Sequence, residues 1–522
     1  MARKRSTFTL TYNMNERGDE PRYEYLYRCI REDITAGTIP AGSKLPSKRV
    51  LAEHLEVAVS TVAAAYEQLS VEGFISAHER SGYYVEDVSN YRSKPAPAPT
   101  VQTPQQSEQA QKATRRRASA AKTIQDASDQ DFFVDMKVNR ASVLLFPSTV
   151  WAHYMREALS FPSETLLQSV PFNGLLELRQ AIAAYLKRAR GVDVSPDCII
   201  VGAGSEYLYS RLLQMFGPHT MVAMENPGYS KFSAISHSFG TPWCSVPIDD
   251  SGMDVAALAE TGAQVAHVSP ANHFPTGIVM PIKRRLELFE WANDAPGRFI
   301  IEDDYDSEFR YSGRPIMPLL GEDAAGRVIY LNAFSKTMVP SLRISYMVLP
   351  ARLLKRYVDT MSFYSCTVSS IEQYALARFI DEGHFERHIN RMRTFYRTQR
   401  GAVLDAIAES RLAGISHVEE RNAGTHFLLC VETALSDEEV RERGAKLGLN
   451  ISMLGDYELH DTSLAALART RQSTFGQKDG MRVLVLNYAG IAPDRVAETI
   501  ARLQRIFPEC SERGGVAQAD GA

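Results

Sequence analysis

The sequence lacks closely spaced cysteines and long apolar runs. Its six cysteines are scattered along 522 residues without a C-x-x-C pair, a spacing typical of reduced thiols rather than of a disulfide framework or a zinc site. No apolar run approaches the roughly 20 residues needed to cross a bilayer, and the charged N-terminus lacks the long apolar segment of a signal peptide. We therefore predict a cytoplasmic protein with no membrane partner and no bound metal.

The sequence also lacks an excess of positive charge. The formal net charge is −4, and acidic residues slightly outnumber basic ones in the first 90 positions. Any binding to nucleic acid must therefore depend on a local surface. The length of 522 residues is too great for one ordinary core, so we expect two or three folding units.

Residues 20–90 have the pattern of three helices followed by a hairpin. A first amphipathic helix ends at Gly37, and a second follows Ser47, an N-cap before inward-facing Val50 and two leucines. A third helix is predicted to be capped by Ser60. The alternating run after it turns at a Ser-Gly pair, as a β-hairpin does. This order of elements predicts a winged helix-turn-helix.

The composition changes in residues 91–130. This stretch is rich in Pro, Gln, Ala and Ser, has almost no large apolar residue, and contains three consecutive arginines. Such a segment buries too little surface to offset its ordering entropy, so it is predicted to be a flexible linker. It is either a solvated tether or an arm that contacts DNA without sequence specificity.

Residues 131–510 alternate short apolar runs with longer amphipathic stretches. Strand candidates include "CIIVGAG", "MVAMENP", "VAHVSP", "RFIIEDDY", "VIYLNAF" and "RISYMVL". This alternation predicts an α/β unit in which helices cover a mostly parallel sheet. After about residue 395 the pattern changes to that of a smaller α+β subdomain.

Lys336 follows one of these strands, in "IYLNAFSKTMVPSLR", a setting that suits an amine held at a strand end for covalent chemistry. Pyridoxal phosphate would need an acid at its pyridine nitrogen, a donor at its phenolate oxygen, a stacking ring and a phosphate cradle at a helix start. The sequence offers these groups in order at strand ends: Gly202, Gly204 and Ser205, then Tyr229, then Asp303 and Tyr305, and finally Arg343.

Together these motifs identify a family resemblance. Residues 131–508 resemble a fold type I aminotransferase domain, and "FSKTMVPSLRISY" is similar to the lysine motif of that fold. The first 90 residues resemble the GntR signature through "LPSKRVLAEHL", "TVAAAYEQL" and "RSGYYV". The whole chain resembles the MocR subfamily of GntR-type transcriptional regulators, in which a winged helix-turn-helix precedes a PLP-dependent aminotransferase-like domain.

The resemblance implies a role for each residue of the constellation. Lys336 would form the internal aldimine with pyridoxal 5′-phosphate, Asp303 would pair with the pyridine nitrogen, and Tyr305 would bond the phenolate oxygen. The other implied contacts are ring stacking, phosphate binding and the grip on an effector carboxylate. Tyr229 would stack on the ring, and Gly204, Ser205 and Arg343 would bind the phosphate. Arg482 would bind the effector carboxylate.

Three positions depart from the family pattern. Ala333 stands where the family usually has Ser or Thr near the phosphate, and Phe274 replaces the Asn before Pro-Thr-Gly. Lys231 stands where some relatives that recognise an amino-acid effector have Arg. The first two departures weaken the expectation of efficient transamination more than that of cofactor binding. Whether Asn272 or His273 compensates for Phe274 is left open by the sequence.

The resemblance also implies DNA contacts. In this fold the third helix enters the major groove and the wing lies along the backbone or the minor groove. Arg49 matches the family's DNA-contacting arginine, and Lys44 and Lys48 beside it are either phosphate contacts or solvated charges. Arg80 and Gly82 mark the tip of the wing.

The third helix starts without a basic residue. Val59 stands where GntR relatives commonly carry Arg, so direct readout of guanine from this position is lost. Ser60 and Thr61 can still donate hydrogen bonds to phosphates or base edges.

Two functions follow. The preferred one is a PLP-dependent transcriptional regulator whose aminotransferase-like domain senses PLP itself or an amine or amino-acid effector. It would act without efficient transamination, on a double-stranded DNA operator, as a head-to-tail homodimer. The alternative is a catalytically active PLP-dependent aminotransferase, with Phe274 counting against it.

Overall fold

The computed structural model describes residues 10, 12, 14, 17, 20–78, 81–88, 132–137, 145–160, 168–459 and 480–508. The predicted linker and Arg80 lie outside the described residues. The proposed domain boundaries therefore stay predictions. No helix within these ranges is long and apolar enough to cross a membrane.

Residues 20–78 and 81–88, here called the head, form the expected winged helix-turn-helix. Its elements are α1 (Arg22–Ala36), α2 (Lys48–His54), α3 (Val59–Val71) and the antiparallel strands β1 (Ile75–His78) and β2 (Gly82–Val85). Gly37 ends α1 in the left-handed conformation with φ 77°, and the Ser47 hydroxyl accepts a hydrogen bond from the amide of Val50 at the start of α2.

Two details of the head differ from the sequence-based expectation. Val50 is 58% exposed rather than inward-facing, because Leu51 and Leu55, one helical turn apart, define the buried side of α2. Ser60 does not cap α3: the helix already begins at Val59, and its N-cap residue Ala58 makes no side-chain capping bond.

The remaining described residues, 132–508, form the body. Its central sheet has eight strands in the order β4-β11-β10-β9-β8-β5-β6-β7, with β11 and β7 antiparallel to their neighbours and the other pairs parallel. All six strand candidates are present in it. The strands are β4 (Ile199–Gly202), β5 (Val222–Asn226), β6 (Trp243–Asp249), β7 (Gly252–Met253), β8 (Val265–Val268), β9 (Phe299–Asp303), β10 (Val328–Ala333) and β11 (Ser345–Val348).

Helices pack on this sheet and bury its apolar side chains. The amphipathic stretch over residues 371–400 forms two helices rather than one, because Gly383 adopts φ 71° between them. The α-helices of the body are Ser148–Ser160, Leu176–Tyr185, Ser205–Phe216, Ser230–Ser238, Val255–Glu260, Ile282–Asn293, Leu319–Glu322, Phe334–Thr337, Ala351–Met361, Ser370–Asp381, His384–Ala408, Asp437–Lys446 and Val496–Gln504. Leu186–Arg190 forms a π-helical turn.

A second, smaller sheet follows the long helix His384–Ala408, as predicted. It is antiparallel with the order β12-β13-β16-β15, and a separate parallel pair joins β14 to β3. These strands are β3 (Val134–Asp135), β12 (Ser416–Glu419), β13 (His426–Glu432), β14 (Leu449–Asn450), β15 (Ser452–Met453) and β16 (Met481–Asn487).

The head packs directly on the body. Ile282 of the body is buried in the core of the head, and its amide donates to the carbonyl of Glu72 at 2.9 Å. The amide of Arg314 donates to Oε1 of Gln68 at 3.1 Å, and its guanidinium pairs with Glu24 at 3.0 Å. The contact therefore combines one apolar anchor with polar bonds to α1 and to the C-terminal part of α3.

Candidate functional site

A cavity of about 330 Å³ opens where several strands of the large sheet end. Parallel strands of an open α/β sheet place ligand sites at their carboxyl ends. Six of the eight residues predicted to bind a cofactor or effector line this cavity. They are Ser205, Tyr229, Asp303, Tyr305, Lys336 and Arg343. Gly204 does not line it but directly precedes Ser205, and a Cβ atom at Gly204 would meet the guanidinium of Arg343. Arg482 does not line the cavity either.

Lys336 lies on the short helix Phe334–Thr337, directly after β10. Its amine donates to the hydroxyl of Tyr305 and lies 3.3 Å from a carboxylate oxygen of Asp306. Burial lowers the pKa of Lys336 below the usual value for lysine, while the charge of Asp306 opposes this shift. A lysine in this setting gains access to the neutral, nucleophilic amine.

Asp303 ends β9 and points into the cavity. Its carboxylate accepts a hydrogen bond at 2.7 Å from Tyr209, whose oxygen also lies 2.9 Å from Nε2 of His267. Burial raises the pKa of Asp303 to about 6, and the bond from Tyr209 opposes this shift. Burial lowers the pKa of His267 to about 3, so this ring is neutral near pH 7.

The opposite end of the cavity is formed by a helix start. Gly204 precedes the helix Ser205–Phe216 with φ 92° and ψ 161°, and a Cβ atom there would overlap the guanidinium of Arg343. Arg343 forms an ion pair with Glu206, which Lys231 also contacts at 3.2 Å. Free amides at a helix start together with an arginine suit a phosphate group.

Aromatic rings form the walls between these two ends. Tyr229 lines one wall. Phe274 lines another, with its ring centroid 5.3 Å from that of Tyr305 and 4.9 Å from that of Tyr457. Asn272 and His273 are buried behind this wall and do not line the cavity. Neither of them therefore places a polar group where Phe274 stands.

The structure places Arg482 away from this cavity. Its guanidinium donates to the carbonyls of Leu435 and Met481 and lies 3.5 Å from Asp437. Arg482 is near the start of β16, roughly 16 Å along the strand from Asn487, which lines the cavity at its other end. The sequence motif located the strand correctly, but not the residue on it that faces the site.

Several cavity residues were not predicted from the sequence. Asp306 forms an ion pair with Lys336. The acidic run that contains Asp306 was the sequence feature that could have identified it. Val485 is the residue of β16 that faces the cavity together with Asn487. Lys137, His426 and Tyr457 come from distant parts of the chain, and no local motif marks them.

The arrangement fits pyridoxal phosphate. A lysine amine lines the cavity together with the carboxylate of Asp303. At the helix start on the other end, a Cβ at Gly204 would overlap the guanidinium of Arg343, so the glycine leaves room there. Ala333 also lines the cavity but has no hydroxyl to offer a phosphate. Ser335 and Ser205, which do have hydroxyl groups, line the cavity as well.

Apart from Arg80, the predicted DNA-contacting residues are among the described residues of the head. Arg49 and Ser60 are exposed, and Thr61 is half-buried. The amines of Lys44 and Lys48 lie 5.9 and 5.1 Å from the ring centroids of two tyrosines of the wing. Gly82 starts β2 with φ 103°.

Comparisons with known proteins agree with both halves of the structure. The chain matches the family "Bacterial regulatory proteins, gntR family" over residues 22–85 and "Aminotransferase class I and II" over residues 134–445. The solved kynurenine aminotransferase of Pyrococcus horikoshii has a TM-score of 0.61 and 24% identity, covering 74% of this chain and 92% of its own. The protein is thus a winged helix-turn-helix joined to an aminotransferase fold.

Relatives that match most of the chain define the family. The uncharacterized HTH-type transcriptional regulator YdeL of Bacillus subtilis is 34% identical over 95% of this chain and 98% of its own. The probable rhizopine catabolism regulatory protein MocR of Rhizobium meliloti is 30% identical, covering 95% and 96%. The pyridoxine biosynthesis regulator PdxR of Corynebacterium glutamicum is 29% identical, covering 82% and 87%. The chain belongs to the MocR subfamily of GntR-type transcriptional regulators.

Proposed function

We propose that the protein attaches pyridoxal phosphate at Lys336 and uses this site to control how the head binds operator DNA in the cytoplasm. The observation that carries the proposal is the position of Lys336 between Tyr305 and Asp306, with Asp303 at one end of the same cavity. The membership of the MocR subfamily supports a regulatory rather than a metabolic use of this site.

Each residue of the site would contact a different part of the cofactor. Asp303 keeps a proton at the pyridine nitrogen, Tyr305 donates to the phenolate oxygen, and Tyr229 covers the ring. The amide of Ser205 at the helix start beside Gly204, with the guanidinium of Arg343, holds the phosphate. Bound pyridoxal phosphate supplies an electrophilic carbon that reacts reversibly with amines.

The effector would be pyridoxal phosphate itself or a primary amine that competes with Lys336. An arginine fork for a carboxylate is no longer expected, because Arg482 lies away from the cavity and Val485 faces it instead. The cations left near the cavity for an acidic effector are Lys137 and Lys231, which act as point charges rather than as bidentate clamps.

An active aminotransferase is the second candidate function. It is supported by the same lysine, acid and phenol, which provide the groups for proton transfer. The ring of Phe274 against Tyr305 and the absence of an arginine from the described lining of the cavity, apart from Arg343, favour binding of an amine without turnover.

One experiment with two readouts separates the candidates. The purified protein with pyridoxal phosphate is expected to show the absorbance band of lysine-bound cofactor and to shift its own upstream DNA in a gel. Lys336→Ala abolishes the band, whereas Lys355→Ala, at an exposed helical position of the body, retains it. Rapid keto-acid production without a DNA shift would contradict the regulatory proposal.

A further inference from the structure

The first turn of α3 presents small and apolar side chains to solvent. Ala58, Val59 and Ser60 are exposed, and 47% of Val59 is accessible. The opposite side of α3, formed by Val62, Tyr66 and Leu69, is buried in the core of the head. Val59 is therefore not required for the packing of the head, although valine is costly to expose to water.

The contact with the body does not cover this end of the helix. The body touches α3 near Gln68 and the following Glu72. Val59 lies nine residues before Gln68, which corresponds to roughly 14 Å along the helix axis. The docked head therefore leaves the first turn of α3 free to enter a groove.

The head also carries three cationic side chains among its predicted DNA contacts. Lys44, Lys48 and Arg49 belong to the same head, and none of them forms an ion pair with another residue that the structure describes. In a winged helix-turn-helix the third helix enters the major groove, and cations on the same domain that have no carboxylate partner suit the phosphate backbones that border this groove. The occupant of this surface is thus double-stranded DNA.

We propose that Val59 contacts the C5 methyl group of a thymine and is a specificity-determining residue of the head. In the major groove thymine alone among the four bases presents a methyl group, and apolar side chains read it by contact. Valine has no hydrogen-bonding atom for the acceptors of guanine. Val59 thus replaces guanine readout with thymine readout.

This inference rests on the DNA binding in the proposed function, so the test must separate the two. Full-length protein loaded with pyridoxal phosphate selects duplexes from a random-sequence library. Each thymine of the selected duplex is then replaced by deoxyuridine, which removes only the methyl group. Removal of one buried methyl is expected to weaken binding about fourfold.

The variants assign the effect to one side chain. At one thymine in each half-site, deoxyuridine weakens binding by the wild type about fourfold and leaves binding by Val59→Ala unchanged. Val50→Ala is the matched control, because Val50 is an exposed valine of the same head at 58%, and it retains the response to deoxyuridine. Val59→Arg is expected to select guanine at that position.

Two outcomes overturn the inference. If no thymine shows a response that depends on Val59, the protein binds DNA but Val59 does not read a methyl group. If no duplex is selected at all, the proposed function fails together with the inference.

Discussion

The Nζ atom of Lys336 lies 3.3 Å from a carboxylate oxygen of Asp306, whose side chain is completely inaccessible to solvent. The other carboxylate oxygen of Asp306 accepts a hydrogen bond from Thr425 at 2.9 Å. A buried carboxylate needs a positive partner, so Asp306 favours the charged lysine. In the proposed function, a ligand that releases Lys336 as a free ammonium group would restore this ion pair, so Asp306 would favour the effector-bound state.

Asp306→Asn is expected to make the attachment of pyridoxal phosphate possible at lower pH. Only the neutral amine reacts, and the charge of Asp306 raises the pKa of Lys336 against the effect of burial. Without that charge the pKa of Lys336 falls, and the neutral fraction at a given pH increases. The measurement is the rate at which the absorbance band appears as a function of pH, with exposed Asp250→Asn as the control. An unchanged profile would show that Asp306 does not control the lysine.

Gly204→Ala is expected to weaken cofactor binding tenfold or more. The backbone at Gly204 has φ 92° and ψ 161°, a conformation that costs other residues about 1–3 kcal/mol. The added Cβ would also displace Arg343. Titration of the cofactor, followed by absorbance, gives the dissociation constant.

Gly217→Ala is the matched control for this prediction. Gly217 has nearly the same backbone, with φ 86° and ψ 169°, and a Cβ there meets no atom within 4 Å. It should lower the free energy of unfolding by a similar amount and leave cofactor affinity unchanged. Equal loss of affinity in both variants would indicate that strain, rather than the displacement of Arg343, is responsible.

Much of the fold and of the site could be predicted, because both follow from strand ends. Lys336, Asp303 and Tyr305 each follow an apolar strand, and parallel strands bring their carboxyl ends together regardless of their separation in sequence. The candidate phosphate site could be predicted for a similar reason, because it depends on a short local motif, a Gly-Ser pair between a strand and a helix.

The errors concern the direction in which a side chain points and contacts over long distances. Arg482 lies in the expected strand, but alternate residues of a strand face opposite sides, and its guanidinium found carbonyl partners outside the cavity. Val50 was assigned to the wrong side of a helix of only seven residues. Lys137 reaches the cavity from the segment that pairs with β14, a contact over about 300 residues that periodicity cannot reveal.

Tyr209→Phe is expected to lose the cofactor at a higher pH than the wild type does when the pH is lowered. Asp303 must be ionised to hold the protonated pyridine nitrogen, and burial raises its pKa to about 6. Affinity of the wild type should therefore fall as the pH is lowered through about 6. Loss of the hydroxyl that donates to Asp303 raises this pKa further, so the fall occurs at higher pH. Cofactor affinity measured between pH 5 and pH 8 tests this.

Tyr374→Phe is the control for this prediction. The hydroxyl of Tyr374 donates to Glu157 rather than to Asp303, so this variant should show the same pH dependence as the wild type.

Arg314→Glu is expected to loosen the contact between head and body. Arg314 lies 3.0 Å from Glu24 and 3.8 Å from Glu20, so the variant places three carboxylates together. Exposed pairs contribute up to about 1 kcal/mol each, and amide hydrogen exchange in α1 should become about fivefold faster. The double variant Glu24→Arg/Arg314→Glu should restore protection. Continued rapid exchange in the double variant would argue against a charge contact.

The same two substitutions on separate chains test the predicted head-to-tail homodimer. If Glu24→Arg and Arg314→Glu are co-expressed with different tags, a head that reaches over to the partner's body meets the opposite charge in both contacts. A head that stays on its own body meets a like charge in both. Protection of α1 in the purified mixed dimer is therefore expected for the head-to-tail arrangement, and rapid exchange in that dimer, or recovery of monomers alone, would contradict it.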